Sequence, residues 1–259
     1  MTQIVEHEIE NIWGYAKRLR FVRDVLREAF VGNRTVKVLD VGCGNGSQLA
    51  IPLAGDRRVQ IVGIDPDPGS INHARELATS TENLRFICGG VEELGPNEHF
   101  DMVILSEVLE HLAHPAEMLA AATRVLDQDG VLIVTVPNGY GEFEIDSWIF
   151  RALRLQNVVD ALATKREVLG STDNCESGHI QFFTPSRLRR LFREAGLVAF
   201  REGAGSFLAG PIAGHFIARS RYLTDLNARI TDRLPLLLAS GWYFALRRQN
   251  SALPVEANK

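Results

Sequence analysis

Glycines alternate at Gly42, Gly44 and Gly46, directly behind the apolar run Val36-Lys-Val-Leu-Asp-Val41, and this arrangement constrains the chain more than any other. Glycine reaches φ > 0 without a steric cost and lets a backbone approach a ligand with no Cβ in the way. A strand that feeds such a loop, with a helix opening behind it, leaves free backbone N–H groups at the loop and the helix start. That turn can cradle a nucleotide-like cofactor. The next apolar run, Val59-Gln-Ile-Val-Gly-Ile-Asp65, ends in a carboxylate. Two strands ending side by side, one in a glycine loop and one in an acid, begin a doubly wound α/β sheet.

The rhythm continues along the chain. Strands are expected at 36–41, 59–64, 84–88, 100–105 and 131–136. Helices are expected from 47, shortened by Pro52, and over 69–79 and 115–126, the last opening on Pro115. A turn is expected at Asp129-Gly130. Solidly apolar strands alternating with helices predict a parallel sheet covered on both faces. Before it, a helical stripe of Ile9, Ile12, Trp13, Leu19, Val22, Val25 and Leu26 predicts a leading helix from about 6 to 30. After Pro137 come a helix candidate at 145–163, a polar loop at 170–178, and a helix capped by Thr184-Pro-Ser that ends at Gly196. Strands at 197–202 and 241–248 follow. The forty or so residues between them, helical around 216–234, are too many for a hairpin and read as an insertion. The expected division is a helical segment at 1–34, a core of 35–205 with 241–250, an insertion at 138–180 over the active-site edge, and a second at 206–240.

Composition narrows the setting. Hydrophobic residues make up 46% and charged residues 23%, as in ordinary globular chains, and the formal charge of -4 does not favour nucleic acid as a partner. The first residues lack a basic start followed by an apolar core, so no signal peptide is expected. Cys43, Cys88 and Cys175 form no CxxC pair and point to a reducing compartment, hence a cytoplasmic location. No apolar run reaches membrane-spanning length. The 206–240 insertion, with its Leu-Pro-Leu-Leu-Leu, is a candidate to dock on a membrane surface, on a partner subunit (a homo-oligomer) or on the sheet itself.

A nicotinamide fingerprint would need glycine where Ser47 stands, and a diphosphate would be ill served by Asp40. A cofactor with a cationic amine would be well served. Asp40-Val-Gly-Cys-Gly-Asn-Gly46 resembles the first motif of class I S-adenosylmethionine-dependent methyltransferases. The resemblance, which covers roughly 36–200, implies a seven-stranded, mostly parallel sheet whose last strand runs antiparallel. It assigns Asp40, Gly42, Gly44, Gly46, Asp65, Pro66, Val91, Glu92 and Ser106 to the cofactor, with Asp65 accepting from both ribose hydroxyls. Where the family often has an acid facing the adenine amino group, this chain has Gly90, with Val91 and Glu92 beside it.

The run from Phe100 to Pro115 resembles the fourth-strand motif of small-molecule O-methyltransferases such as those of ubiquinone biosynthesis. In it Glu107, Glu110 and His111 stand at i, i+3 and i+4, so one helical turn would present all of them to one side. Two carboxylates and an imidazole suit a divalent cation such as Mg. The pattern also resembles the metal site of small-RNA ribose 2′-O-methyltransferases, which a later histidine completes; His179 is the candidate here. His111, Glu107 and His179 are the candidate catalytic residues. Without a metal, His111 would serve as general base. The leading expectation is methyl transfer to a hydroxyl of a small-molecule acceptor. An RNA ribose 2′-O-methyltransferase and a noncatalytic S-adenosylmethionine-binding protein are the alternatives. Tyr140, Phe143 and Trp148 are candidates to line an acceptor pocket, and the arginines at 187, 189, 190 and 193 read as a solvated helix face.

Overall fold

In the computed structural model the described residues are 10–11, 14–79, 81–138, 178, 180–207, 217 and 220–251. The apolar runs become seven strands: β1 (Val36–Val41), β2 (Val59–Asp65), β3 (Leu84–Cys88), β4 (Phe100–Ser106), β5 (Leu126–Pro137), β6 (Leu197–Ala204) and β7 (Gly241–Arg248). They form one sheet in the order β3-β2-β1-β4-β5-β7-β6. The first five pair in parallel, and β7 lies antiparallel to both β5 and β6. Strand order reverses between β1 and β4, and the crevice at the carboxyl ends of those strands is where such sheets bind ligands. The helices are α1 (Tyr15–Ala29), α2 (Ala50–Leu53), α3 (Pro68–Leu77), α4 (Pro115–Val125), α5 (Pro185–Glu194) and α6 (Arg221–Thr231).

Period-2 alternation divides each buried strand between two cores. Val36 and Val38, Met102 and Ile104, and Val131 and Ile133 face the layer that holds α1 and α2. Leu39, Val103, Leu105, Leu132 and Val134 face the layer that holds α4 and α5. Extended by two residues, the first set puts Asp40, Ser106 and Thr135 on the α1 side at the carboxyl edge. The alternation aims these polar side chains at one place.

Local differences from expectation have physical causes. Of the helix expected over about 6–30, Tyr15–Ala29 is formed; Gly14 precedes it with φ 73, Glu10 and Asn11 are not helical, and residues 6–9, 12 and 13 lie outside the described residues. Asp129-Gly130 is not a free turn: β5 starts at Leu126, and its register against β4 slips between Phe100 and Met102. Gly130 is needed in that bulge, since a Cβ there would lie 2.7 Å from Leu126 Cδ1 and 3.0 Å from the Asp101 carbonyl. Thr184 caps α5 as expected, accepting from Arg187 N–H at 3.2 Å. The expected helix at 145–163, the loop at 170–177, Cys175, His179, Tyr140, Phe143 and Trp148 lie outside the described residues.

Candidate active site

The glycine loop leaves β1 and turns back under β2. Gly42, Gly44 and Gly46 all have positive φ, at 69°, 54° and 73°. A Cβ on Gly42 would meet Val108 Cγ2 at 2.7 Å, and one on Gly46 would meet Phe86 Cζ at 2.6 Å, whereas one on Gly44 would point into open space. The outer glycines are thus required by packing as well as by conformation, and the middle one leaves the mouth of the loop clear. Gly42 and Cys43 both donate to the Ile64 carbonyl, at 2.8 and 3.0 Å, tying the loop to the end of β2.

Asp65 closes this cradle. It is 5% exposed, and it accepts from Gly44 N–H (2.8 Å, on Oδ2) and from Asp67 N–H (2.9 Å, on Oδ1). Each oxygen has a further lone pair for a ligand hydroxyl. Pro66 follows on the surface, and Asp67 caps α3 by accepting from Gly69 and Ser70. Beyond β3, Val91 is buried in the core while Glu92 is exposed. The Glu92 carboxylate folds back over Gly90, with both oxygens 2.5 Å from where a Cβ on Gly90 would stand. A carboxylate therefore lies against the Gly90 backbone.

Asp40 lies beneath the loop, 3% exposed. Burial, and then the neighbouring Asp65 carboxylate, push it up to about 7; Arg18 and the backbone of Ala50 pull the other way. A carboxyl ordinarily titrates near 4. Between pH ~4 and ~7 the folded chain therefore holds a proton that the unfolded chain has released, so stability falls as pH rises through that window. Glu110, pushed up to about 9 by burial and then by Glu107, extends the fall. Asp40→Asn should remove the first part. Its stability should match wild type near pH 4 and exceed it at pH 8, by a gain on the order of 4 kcal/mol, with the melting temperature rising accordingly. Thermal unfolding across that range checks this, and a parallel offset at every pH would contradict it.

Arg18, which sequence reasoning passed over, organises the other half of the site. It is 5% exposed, and its guanidinium donates to Gln48 Oε1 (3.3 Å) and Ser106 Oγ (3.1 Å) and stands 3.5 Å from Glu107 Oε1. Thr135 Oγ1 lies 3.1 Å from Ser106 Oγ and donates to Glu107 Oε1 at 2.8 Å. A signal for Arg18 existed. It falls at i–4 from Val22 and i–7 from Val25, on the apolar stripe of α1, where a solvated arginine does not belong.

Glu107 and His111 depart from the regular helical turn expected of them. Glu107 has φ 56, the positive value found in a non-glycine residue among those described, and the chain then makes a 3₁₀ turn at Leu109–His111. Such a conformation costs roughly 1–3 kcal/mol and gathers at functional sites. Here it is held by Glu107 N–H donating to the Thr135 carbonyl at 3.0 Å and by the Thr135 and Arg18 contacts. Glu110 is 1% exposed, while Glu107 and His111 keep about a third of their side chains exposed. The His111 Nε2 to Glu110 Oε1 distance is 3.9 Å. The single helical face predicted for Glu107, Glu110 and His111 is therefore not formed: Glu107 leaves the strand toward Arg18 and Thr135, and Glu110 turns into the core. Among the described residues no group of three or more His, Cys, Asp or Glu side chains is disposed to hold a metal ion. His179, the fourth expected ligand, lies outside them.

A family model described as a methyltransferase domain matches residues 13–201. The ubiquinone biosynthesis O-methyltransferase of Azorhizobium caulinodans is 36% identical over 133 residues, which are 47% of this chain and 51% of that protein. One from a Rhodopseudomonas palustris strain is 30% identical over 193 residues, covering 71% of this chain and 70% of that one. The chain spans about half the length of such relatives as the Azorhizobium protein. Magnesium protoporphyrin IX methyltransferase from Synechocystis, solved with bound SAH, superposes with a TM-score of 0.55 at 17% identity, covering 91% of this chain and 83% of that one. At that identity the likeness is one of fold.

Proposed function

The chain belongs to the methyltransferase-domain family, and from that premise we propose that it transfers a methyl group from S-adenosylmethionine to a hydroxyl of a small molecule, in the manner of a phenolic quinone precursor. The observation that carries this reading is the glycine cradle with Asp65 at its rim and the buried Asp40 beneath it. The residues suit that cofactor. Asp65 has lone pairs for the ribose diol, and Glu92, lying over Gly90, offers an acceptor to the adenine amino group. Asp40 favours a cation, and Arg18 presents a guanidinium for the methionine carboxylate. When bound, S-adenosylmethionine supplies a methyl carbon made electrophilic by its sulfonium sulfur.

The rest is done by this chain. His111, part exposed on the loop after β4, is the group available to take the proton from an acceptor hydroxyl. A phenol, with a pKa near 10, asks only modest help of an imidazole. Glu107, held by Thr135 and Arg18, fixes the turn that carries His111. This scheme routes no step through a divalent cation.

The test is a survey of products. With methyl-labelled S-adenosylmethionine and a panel of catechols, sugars and short RNA, label should appear on a catechol oxygen. Label on RNA ribose instead would favour the 2′-O-methyltransferase alternative, and binding without any transfer would favour a noncatalytic binder. Loss of turnover on chelation would restore the cation to the scheme.

A further inference from the structure

Helix α6 is inside out. Its buried positions are Thr224, Asn227, Ala228 and Thr231, spaced i, i+3, i+4 and i+7, so the polar stripe faces the protein. Its apolar side chains face outward: Tyr222 is 73% exposed, and Leu223, Leu226 and Ile230 are each about 40% exposed. A helix that serves only the fold turns the opposite way. The inward hydroxyls are satisfied within the helix, Thr224 Oγ1 donating to the Ser220 carbonyl and Thr231 Oγ1 to the Asn227 carbonyl, at 3.1 and 2.9 Å, and the inverted setting is tied to the body of the protein by Lys17. Lys17 Nζ donates to the Ala228 carbonyl at 2.8 Å and pairs with Asp232 at 2.7 Å. In the same segment between β6 and β7, Leu237 and Leu238 are exposed as well.

Topology sets this surface at the active-site edge. Ala204, at the end of β6, pairs with Trp242 near the start of β7, and Gly241 pairs with Pro137 at the carboxyl end of β5. The segment between β6 and β7 therefore leaves from, and returns to, the edge that carries Asp65, Ser106 and Glu107. Asn138 anchors it there, donating to the Leu237 and Ala239 carbonyls at 2.9 Å each. Charge selects the occupant. Lys17 neutralises Asp232, leaving exposed Arg221, Arg229 and Arg233 against Asp225, in a chain whose formal charge is -4. Arg229 follows Leu226 by three residues and flanks the apolar stripe. An anionic bilayer offers acyl chains to the stripe and phosphates to the arginines that flank it.

We propose that α6, with Leu237 and Leu238, docks this protein on an anionic lipid surface, lying in the plane of the interface and bringing the cofactor edge toward the membrane. That this edge receives the methyl acceptor rests on the reading above; the docking is measured without methyl transfer. The test is flotation of the full chain with vesicles of phosphatidylcholine, alone or mixed with phosphatidylglycerol. Binding should favour the mixed vesicles and weaken with salt. Exchanging Leu223, Leu226 and Ile230 together for Ser should weaken it about tenfold or more. Arg229→Gln with Arg233→Gln should cost roughly fivefold per arginine. Both variants should keep the melting temperature and the affinity for S-adenosylmethionine, which separates docking from folding. Absence of wild-type binding, or binding that neither variant moves, would overturn the proposal. So would a concentration-dependent dimer dissolved by the triple serine variant, which would give the face to a second copy. Vesicle binding by a protein that transfers no methyl would leave the docking standing and sink the acceptor reading alone.

Discussion

His111→Ala is expected to lower turnover by about 10²–10⁴-fold while leaving the affinity for S-adenosylmethionine within a few-fold of wild type. His111 ends the 3₁₀ turn after β4, where its side chain keeps about a third of its surface. The cradle residues that would hold the cofactor, Asp65, Asp40 and Gly44, sit on β1, β2 and the loop between them. Removing the imidazole should therefore cost proton removal from the acceptor and little else. A second signature follows from the same role. The rate lost should return as pH rises toward the acceptor's own pKa, because a phenolate no longer needs a base. A variant as active as wild type at neutral pH would remove His111 from the mechanism. A variant slow at every pH, with no recovery, would make it a positioning residue.

Asp65→Ala should weaken S-adenosylmethionine binding by roughly 10²–10³-fold, the effect of losing two hydrogen bonds to a charged acceptor. Part of the loss will come from the protein, since Asp65 also accepts from Gly44 and Asp67 N–H groups. Asp65→Asn separates the two contributions. The amide keeps one acceptor oxygen and the shape of the side chain, so the fold should be retained while the affinity still drops by about tenfold or more. Titration calorimetry alongside melting curves reads both quantities. Equal affinity in wild type and both variants would take the ribose away from Asp65.

The strands were legible because burial on both faces leaves little room for polar residues between turn signals, and β1, β3 and β7 begin and end where the residue pattern predicts. The cradle was legible for a different reason: alternating glycines beside an acid have few uses. Other features were harder to read. Arg18 stands on the apolar stripe of α1, but only the packing of α1 over β4 supplies its partners, Ser106 and Glu107. The i, i+3, i+4 spacing of Glu107, Glu110 and His111 presumes a regular helical turn, whereas Glu107 adopts φ 56 and a 3₁₀ turn follows it. The placing of a carboxylate over Gly90 depends on the Glu92 side chain folding back, which spacing alone does not disclose. The inversion of α6 is similar, since Lys17, remote in sequence, binds its inner face.

The central claim is that this cradle is shaped for a cationic nucleoside cofactor rather than a dinucleotide diphosphate. Calorimetric titration near pH 7, with S-adenosylmethionine and NAD in turn and in buffers of different ionisation heat, addresses it most directly. Bringing a cation beside Asp40, which burial holds at about 7, should draw a proton off it. S-adenosylmethionine should therefore bind with proton release that Asp40→Asn abolishes, and NAD should give no binding heat. Binding of NAD with no response to S-adenosylmethionine would contradict the account.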